Sequence, residues 1–166
     1  MARKAFFSFH YDPDCWRASQ VRNMGMVDGN APVSDNDWES VKKGGDDAIK
    51  KWIANQLAGK SCTVVLVGEN TYQRKWVLYE ISKSWNDGKG VLGIRTHGLK
   101  NKDGNQGVSG GNPFSSITFN GNGKNLSSVV KLYDPPFTTS ANVYNHIKEN
   151  LSDWVEKAVE IRDSYE

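Results

Sequence analysis

The chain has 166 residues, 37% of them hydrophobic, which suits one domain with a single sizeable core. Its 21 basic and 19 acidic residues leave a net charge of +2 and are spread along the chain, without the basic blocks that duplex-binding proteins use, so nucleic acid is not the expected partner. No apolar run approaches the roughly 20 residues of a membrane span, and the apolar stretch in MARKAFFSFHYD is too short for a secretory signal, so a soluble cytoplasmic protein with no membrane partner is expected.

Two cysteines, Cys15 and Cys62, make neither a disulfide framework nor a zinc pattern. The three histidines are far apart and none falls in an H-E-x-x-H arrangement, so no metal site and no bound cofactor are expected. Six tryptophans are many for this length. Most must be core, but the surplus also suits a pocket that stacks flat rings.

The run Lys4 to Tyr11, KAFFSFHY, is aromatic-rich with little alternation, as in a central strand buried on both faces. Ser8, His10 and Tyr11 lie toward its carboxyl end, the side where ligands gather in open α/β sheets; a structural or solvated role is the other reading of His10. Pro13 opens a helix of about three turns that closes near Gly25. Met26 and Val27 make a short second strand before the turn signal Asp28-Gly29-Asn30. From there to Gly45 the chain is polar and aperiodic, a long loop whose Trp38 is either a lid or interface residue or an anchor to the core.

Asp46 to Ala58 is a clean amphipathic helix, with acidic residues at its start, an apolar stripe of Ile49, Trp52, Ile53 and Leu57, and Gly59 just beyond. The β-branched run Cys62 to Val67 then closes on Gly68, and Asn70 is the candidate N-cap of a helix reaching Trp85. Helical spacing puts Val77, Ile81 and Trp85 on one buried stripe, with Trp76 and Glu80, four apart, on an adjoining one. A carboxylate beside an indole near a helix start, just past a strand, is the candidate centre of function; a solvated Glu and a core Trp are the plainer alternative.

A fourth strand follows at Val91 to Arg95, where Gly93 marks close backbone approach. The stretch 96–125 is rich in Gly, Asn and Ser but has neither nucleotide-binding glycine spacing, so it reads as an excursion loop with a small hairpin. Ser128 to Tyr133 is the fifth strand, stopped by Asp134-Pro135-Pro136, and Ser140 caps a long last helix. The order of elements gives an α/β fold: a flavodoxin-like parallel sheet of about five strands with helices on both faces. Ser8, His10 and Tyr11 would then face Trp76 and Glu80 across one crevice.

Three segments resemble the Toll/interleukin-1 receptor (TIR) family, and more closely the TIR-like subunit of bacterial Thoeris antiphage systems. Ala5-Phe6-Phe7-Ser8-Phe9 is similar to the family's opening strand, Trp76-Val77-Leu78-Tyr79-Glu80 to its W-x-x-x-E motif, and Gly45-Asp46-Asp47-Ala48-Ile49 to the end of its BB loop. The likeness covers about the first 95 residues; 96–125 departs from it. The resemblance implies an enzyme that splits nicotinamide from the ribose of NAD, with Glu80 in the catalytic position and NAD as substrate. Ser8, His10, Tyr11, Trp38 and Trp76 are the candidate substrate contacts. Water capture would give ADP-ribose; attack by the adenine end would give a cyclic isomer that signals to an effector. The family also implies self-association, and a non-catalytic interaction or nucleotide-sensing module is the alternative.

Overall fold

The computed structural model describes residues 3–27, 41–119 and 124–165, with the side chains of 11–13 and 119 outside the description. In chain order its elements are β1 (Ala5–Phe9), α1 (Tyr11–Arg22), α2 (Gly45–Leu57), β2 (Cys62–Val67), α3 (Lys75–Asn86), β3 (Gly90–Arg95), β4 (Thr118–Phe119), β5 (Lys124–Asn125), β6 (Leu132–Tyr133) and α4 (Ser140–Asp163). Among the described residues the main sheet has four parallel strands in the order β1-β2-β3-β6, and β4 pairs with β5 in a separate antiparallel ribbon. No helix among these residues is long and apolar enough to cross a membrane.

The sheet is buried on both faces, which is why β2 reads as an unbroken apolar and β-branched run with all six residues buried. Phe7, Val64, Leu66, Leu92 and Ile94 point to one face and meet Ala18 and Val21 of α1 and Ile147, Leu151 and Val155 of α4. On the opposite face Val65, Val67 and Val91 pack against Val77, Ile81 and Trp85 of α3. Phe6, also on that face, packs with Ile49, Ile53 and Leu57 of α2. Helices therefore cover both sides, as the α/β pattern predicted. Truncating a fully buried branched residue such as Ile81 to Ala would cost about 2–5 kcal/mol.

Several boundaries differ from expectation. Met26 and Val27 form a bend and not a strand, so the second of the five expected strands is absent from the described residues. Ser128 to Tyr133 contributes only Leu132 and Tyr133 to the sheet, because Asn125 instead caps a 3-10 turn over Leu126–Ser128 through its side-chain oxygen. The last helix is capped by Thr139, whose hydroxyl accepts from the Asn142 amide, and not by Ser140.

The excursion after β3 folds back on the sheet. A 3-10 turn at Pro113–Ser116 carries Phe114, fully buried, onto β3 at Gly93. A Cβ on Gly93 would lie 2.9 Å from the side chains of both Phe114 and Leu132, so it is these side chains, and not another backbone, that close on the glycine.

Candidate functional site

Alternation along β1 sends Phe6 and Ser8 to the same face of the sheet. Phe6 fills the α2 cluster, and Ser8, nearer the carboxyl end, meets α3. Its hydroxyl donates to Glu80 Oε1 at 2.6 Å, joining residues 72 apart in sequence. Ser8 is 1% exposed and Glu80 8% exposed, so this is an enclosed contact. Glu80 owes its position to the apolar stripe of α3. With Val77, Ile81 and Trp85 buried against the sheet, the residue one step before Ile81 is carried to the edge of the same contact.

The turn of helix that bears Glu80 is also fastened to β2. The Ser84 hydroxyl donates to the Glu80 carbonyl at 2.6 Å, and Thr63 Oγ1 lies 2.7 Å from Ser84 Oγ. A serine has one hydroxyl proton and Ser84 spends it on the helix, so Thr63 is the donor to Ser84. Thr63 and Ser84 are both fully buried. Glu80 is thus held from two strands, through its side chain by β1 and through its main chain by β2.

Among the described residues the Glu80 carboxylate has this one hydrogen-bond partner and no ion pair. Burial pushes its pKa up to about 8, against the smaller lowering effect of the Ser8 hydroxyl. A carboxyl poised near neutrality, ready to lose its proton when a positive charge arrives, is a recurrent feature of sites that do chemistry.

The remaining candidates are placed as follows. His10 follows β1 directly, is half-buried, and stands at the N-cap of α1 with extended backbone angles, its carbonyl accepting from the Asp14 amide at 3.1 Å. Tyr11 opens α1, and its side chain lies outside the description. Trp38 lies outside the described residues. Trp76 is half-buried against the Phe6, Ile49, Ile53 and Leu57 cluster, edge-on to Tyr79 at 5.6 Å, with the Lys75 ammonium 4.8 Å from its ring. The structure therefore brings Ser8 and Glu80 together, and sets Trp76 in the seam between α2 and α3. Asn70 is not the cap of α3. The Thr71 hydroxyl accepts the Gly68 amide at 2.8 Å, a 3-10 turn runs over Thr71–Gln73, and α3 starts after Arg74 in extended conformation.

Sequence reasoning missed Thr63 and Ser84. The available signal was the lone hydroxyl inside the Cys62–Val67 run and a serine four residues beyond the glutamate.

The family model described as "Thoeris protein ThsB, TIR-like domain" matches residues 6–101, a span that contains Ser8, Thr63, Glu80 and Ser84. A protein of Bacillus cereus (strain MSX-D12) named "Putative cyclic ADP-D-ribose synthase ThsB1" is 41% identical over 133 residues, covering 76% of this chain and 69% of its own length. The chain belongs to the ThsB family of TIR-like proteins.

Proposed function

We propose that this protein breaks the bond between nicotinamide and ribose in NAD and closes the remaining ADP-ribose on itself to give a cyclic product. The observation that carries the reading is the buried Glu80 carboxyl held by Ser8, on a chain of this family, beside a relative whose name is that of a cyclic ADP-ribose synthase.

The chemistry asks little of the protein beyond one well-placed carboxylate. The C–N bond of the nicotinamide riboside breaks with its electron pair going to the pyridine, which leaves neutral. Positive charge is left on the ribose carbon and ring oxygen. An anionic Glu80 stabilises that oxocarbenium-like transition state, and it does so strongly because the carboxyl is buried. The pyridinium of the bound substrate is itself a cation, and its arrival favours the ionised form of a carboxyl that is otherwise mostly protonated near neutral pH. Ser8, as a donor to Oε1, favours that form too and fixes which way the carboxylate faces. The cation is then captured by a nucleophile from the adenine end, which loses a proton, giving the cyclic isomer. Capture by water gives ADP-ribose and a proton instead. In this proposal the cyclic product is a diffusible signal to a separate effector in antiphage defence, and contact between copies of the chain completes the site.

The test is incubation of purified protein with NAD, followed by mass spectrometry of the products. Nicotinamide together with a product of the mass of cyclic ADP-ribose, both lost in Glu80→Gln, is the expected result. ADP-ribose alone would make the protein a hydrolase.

A further inference from the structure

A polar hollow, separate from the enclosed contact between Ser8 and Glu80, opens beyond the carboxyl ends of β1, β2 and β3, where open α/β sheets receive ligands. It is about 80 Å³ in volume, room for a handful of non-hydrogen atoms, given about 30 Å³ for each water of the liquid. Asp14 and Arg17 of α1, Glu69 and Asn70 of the turn after β2, and His97 and Gly107 of the stretch after β3 line it.

Asp14 is 3% exposed, and a buried carboxylate ordinarily takes short charged hydrogen bonds of about 2.7–2.9 Å. Here its contacts are long: Thr71 Oγ1 at 3.5 Å and Arg17 Nη1 at 3.7 Å. Among the described residues it receives no shorter hydrogen bond, and it stands at the wall of a polar hollow. The Arg17 fork is spent elsewhere, Nε donating to the Leu99 carbonyl at 2.8 Å and Nη2 to the Asn105 carbonyl at 3.0 Å. His97 Nδ1 is buried with no hydrogen-bond partner among the described residues. The glycine at 68 keeps the wall close, since a Cβ there would collide with the Asp14 carboxyl.

This lining selects its ligand by charge and by hydrogen-bonding sense. Asp14 and Glu69 disfavour an anion, and the guanidinium of Arg17 offsets one of these two carboxylates, so the lining offers mainly acceptors. What fits is a small neutral group with two hydrogens to donate. We propose that the hollow binds the vicinal diol of a ribose, one hydroxyl donating to Asp14 and its neighbour to Glu69. Carboxylates accept ribose hydroxyls in this way at the ends of strands in dinucleotide-binding sheets. That the diol belongs to a nucleotide rests on the NAD reading above; the hollow and its acceptors do not.

The proposal is tested on Glu80→Gln protein, in which turnover is silenced and binding can be followed by NMR. ADP-ribose and NAD are the two diol-bearing probes; 2′,3′-dideoxyadenosine monophosphate and inorganic phosphate are the controls. ADP-ribose is expected to move the amide signals of Gly68, Asn70 and Gly107 and the ring signals of His97. Its affinity should fall about tenfold in the solvent-facing variant Glu69→Gln, the loss of one charge-assisted hydrogen bond. A like response to NAD assigns the site to substrate as well as product, and a response to ADP-ribose alone assigns it to product; both support the diol. Unmoved signals with both nucleotides, or equal movement with the dideoxy nucleotide or phosphate, would overturn it. Nicotinamide release by the wild-type protein is a separate readout, so the pocket assignment can fail while the Glu80 chemistry stands, and the reverse.

Discussion

The hydroxyl of Ser8 donates to Glu80 Oε1 at 2.6 Å inside the contact between β1 and α3. One short bond thereby ties the first strand to the helix that bears Glu80, fixes the aim of that side chain and favours its ionised form against the larger effect of burial. Ser8→Ala removes the donor and leaves a buried carboxyl alone. On the proposed mechanism kcat/KM at pH 7 should fall on the order of tenfold or more. The apparent pKa of the remaining activity should move up, because the lost hydrogen bond was the influence lowering it. A pH–rate profile of the variant reads both effects.

In the wild type the same carboxyl predicts opposite pH trends for activity and stability. On the proposed mechanism Glu80 acts as an anion, so kcat/KM should rise with pH through an apparent pKa of about 8. Its folded pKa is raised above the ordinary value of 4.5, so the folded state holds this proton more tightly than the unfolded chain does. The stability it contributes is complete below about 4.5 and is lost as pH rises through about 8. Thermal melts of wild type and Glu80→Gln should therefore diverge across that window, with the variant gaining relative to wild type as pH rises.

Thr63 and Ser84 act on Glu80 through the helix and touch no reacting atom. Thr63→Val and Ser84→Ala should each cost about 1 kcal/mol of stability, seen as a lower denaturation midpoint. Because they hold the helix turn that bears Glu80, kcat should fall while KM stays close to wild type. Thr63→Ser keeps the hydroxyl and should restore kcat, which a purely structural role for the residue would not require.

Gly93 offers a packing control away from the carboxyl. A methyl group there would press 2.9 Å from Phe114 and Leu132, so Gly93→Ala should destabilise by about 1–3 kcal/mol. The excursion 96–125 would loosen first, which amide hydrogen exchange at Phe114 and Ile117 would detect. The pH dependence of activity should be unchanged.

How much of this was legible in the sequence depended on the length of each signal. The Cys62–Val67 run and the Val77, Ile81, Trp85 stripe are long and periodic, and both elements lie where those patterns put them. Ser8 and Glu80 could be placed near each other because strand alternation and sheet order leave little freedom. Met26 and Val27 failed as a strand because two apolar residues before a turn carry no period to read. The Asn70 cap failed because the Thr71 hydroxyl, one residue on, takes the Gly68 amide and shapes a 3-10 turn first. Thr139 and Ser140 are equivalent caps on paper, and the extended backbone at Thr139, with Ser140 already helical, makes Thr139 the cap. Thr63 was hidden because a threonine in a strand satisfies β-propensity whether or not its hydroxyl has a task. The Asp14 hollow was hidden because its walls come from three separate segments.

The most direct test of the central claim is nicotinamide release from NAD by wild-type protein and by Glu80→Gln, prepared identically and assayed from pH 6 to 9. The account predicts release that rises with pH in the wild type and is abolished in the variant. Release by Glu80→Gln at the wild-type rate, with the same pH dependence, would contradict it and remove Glu80 from the chemistry.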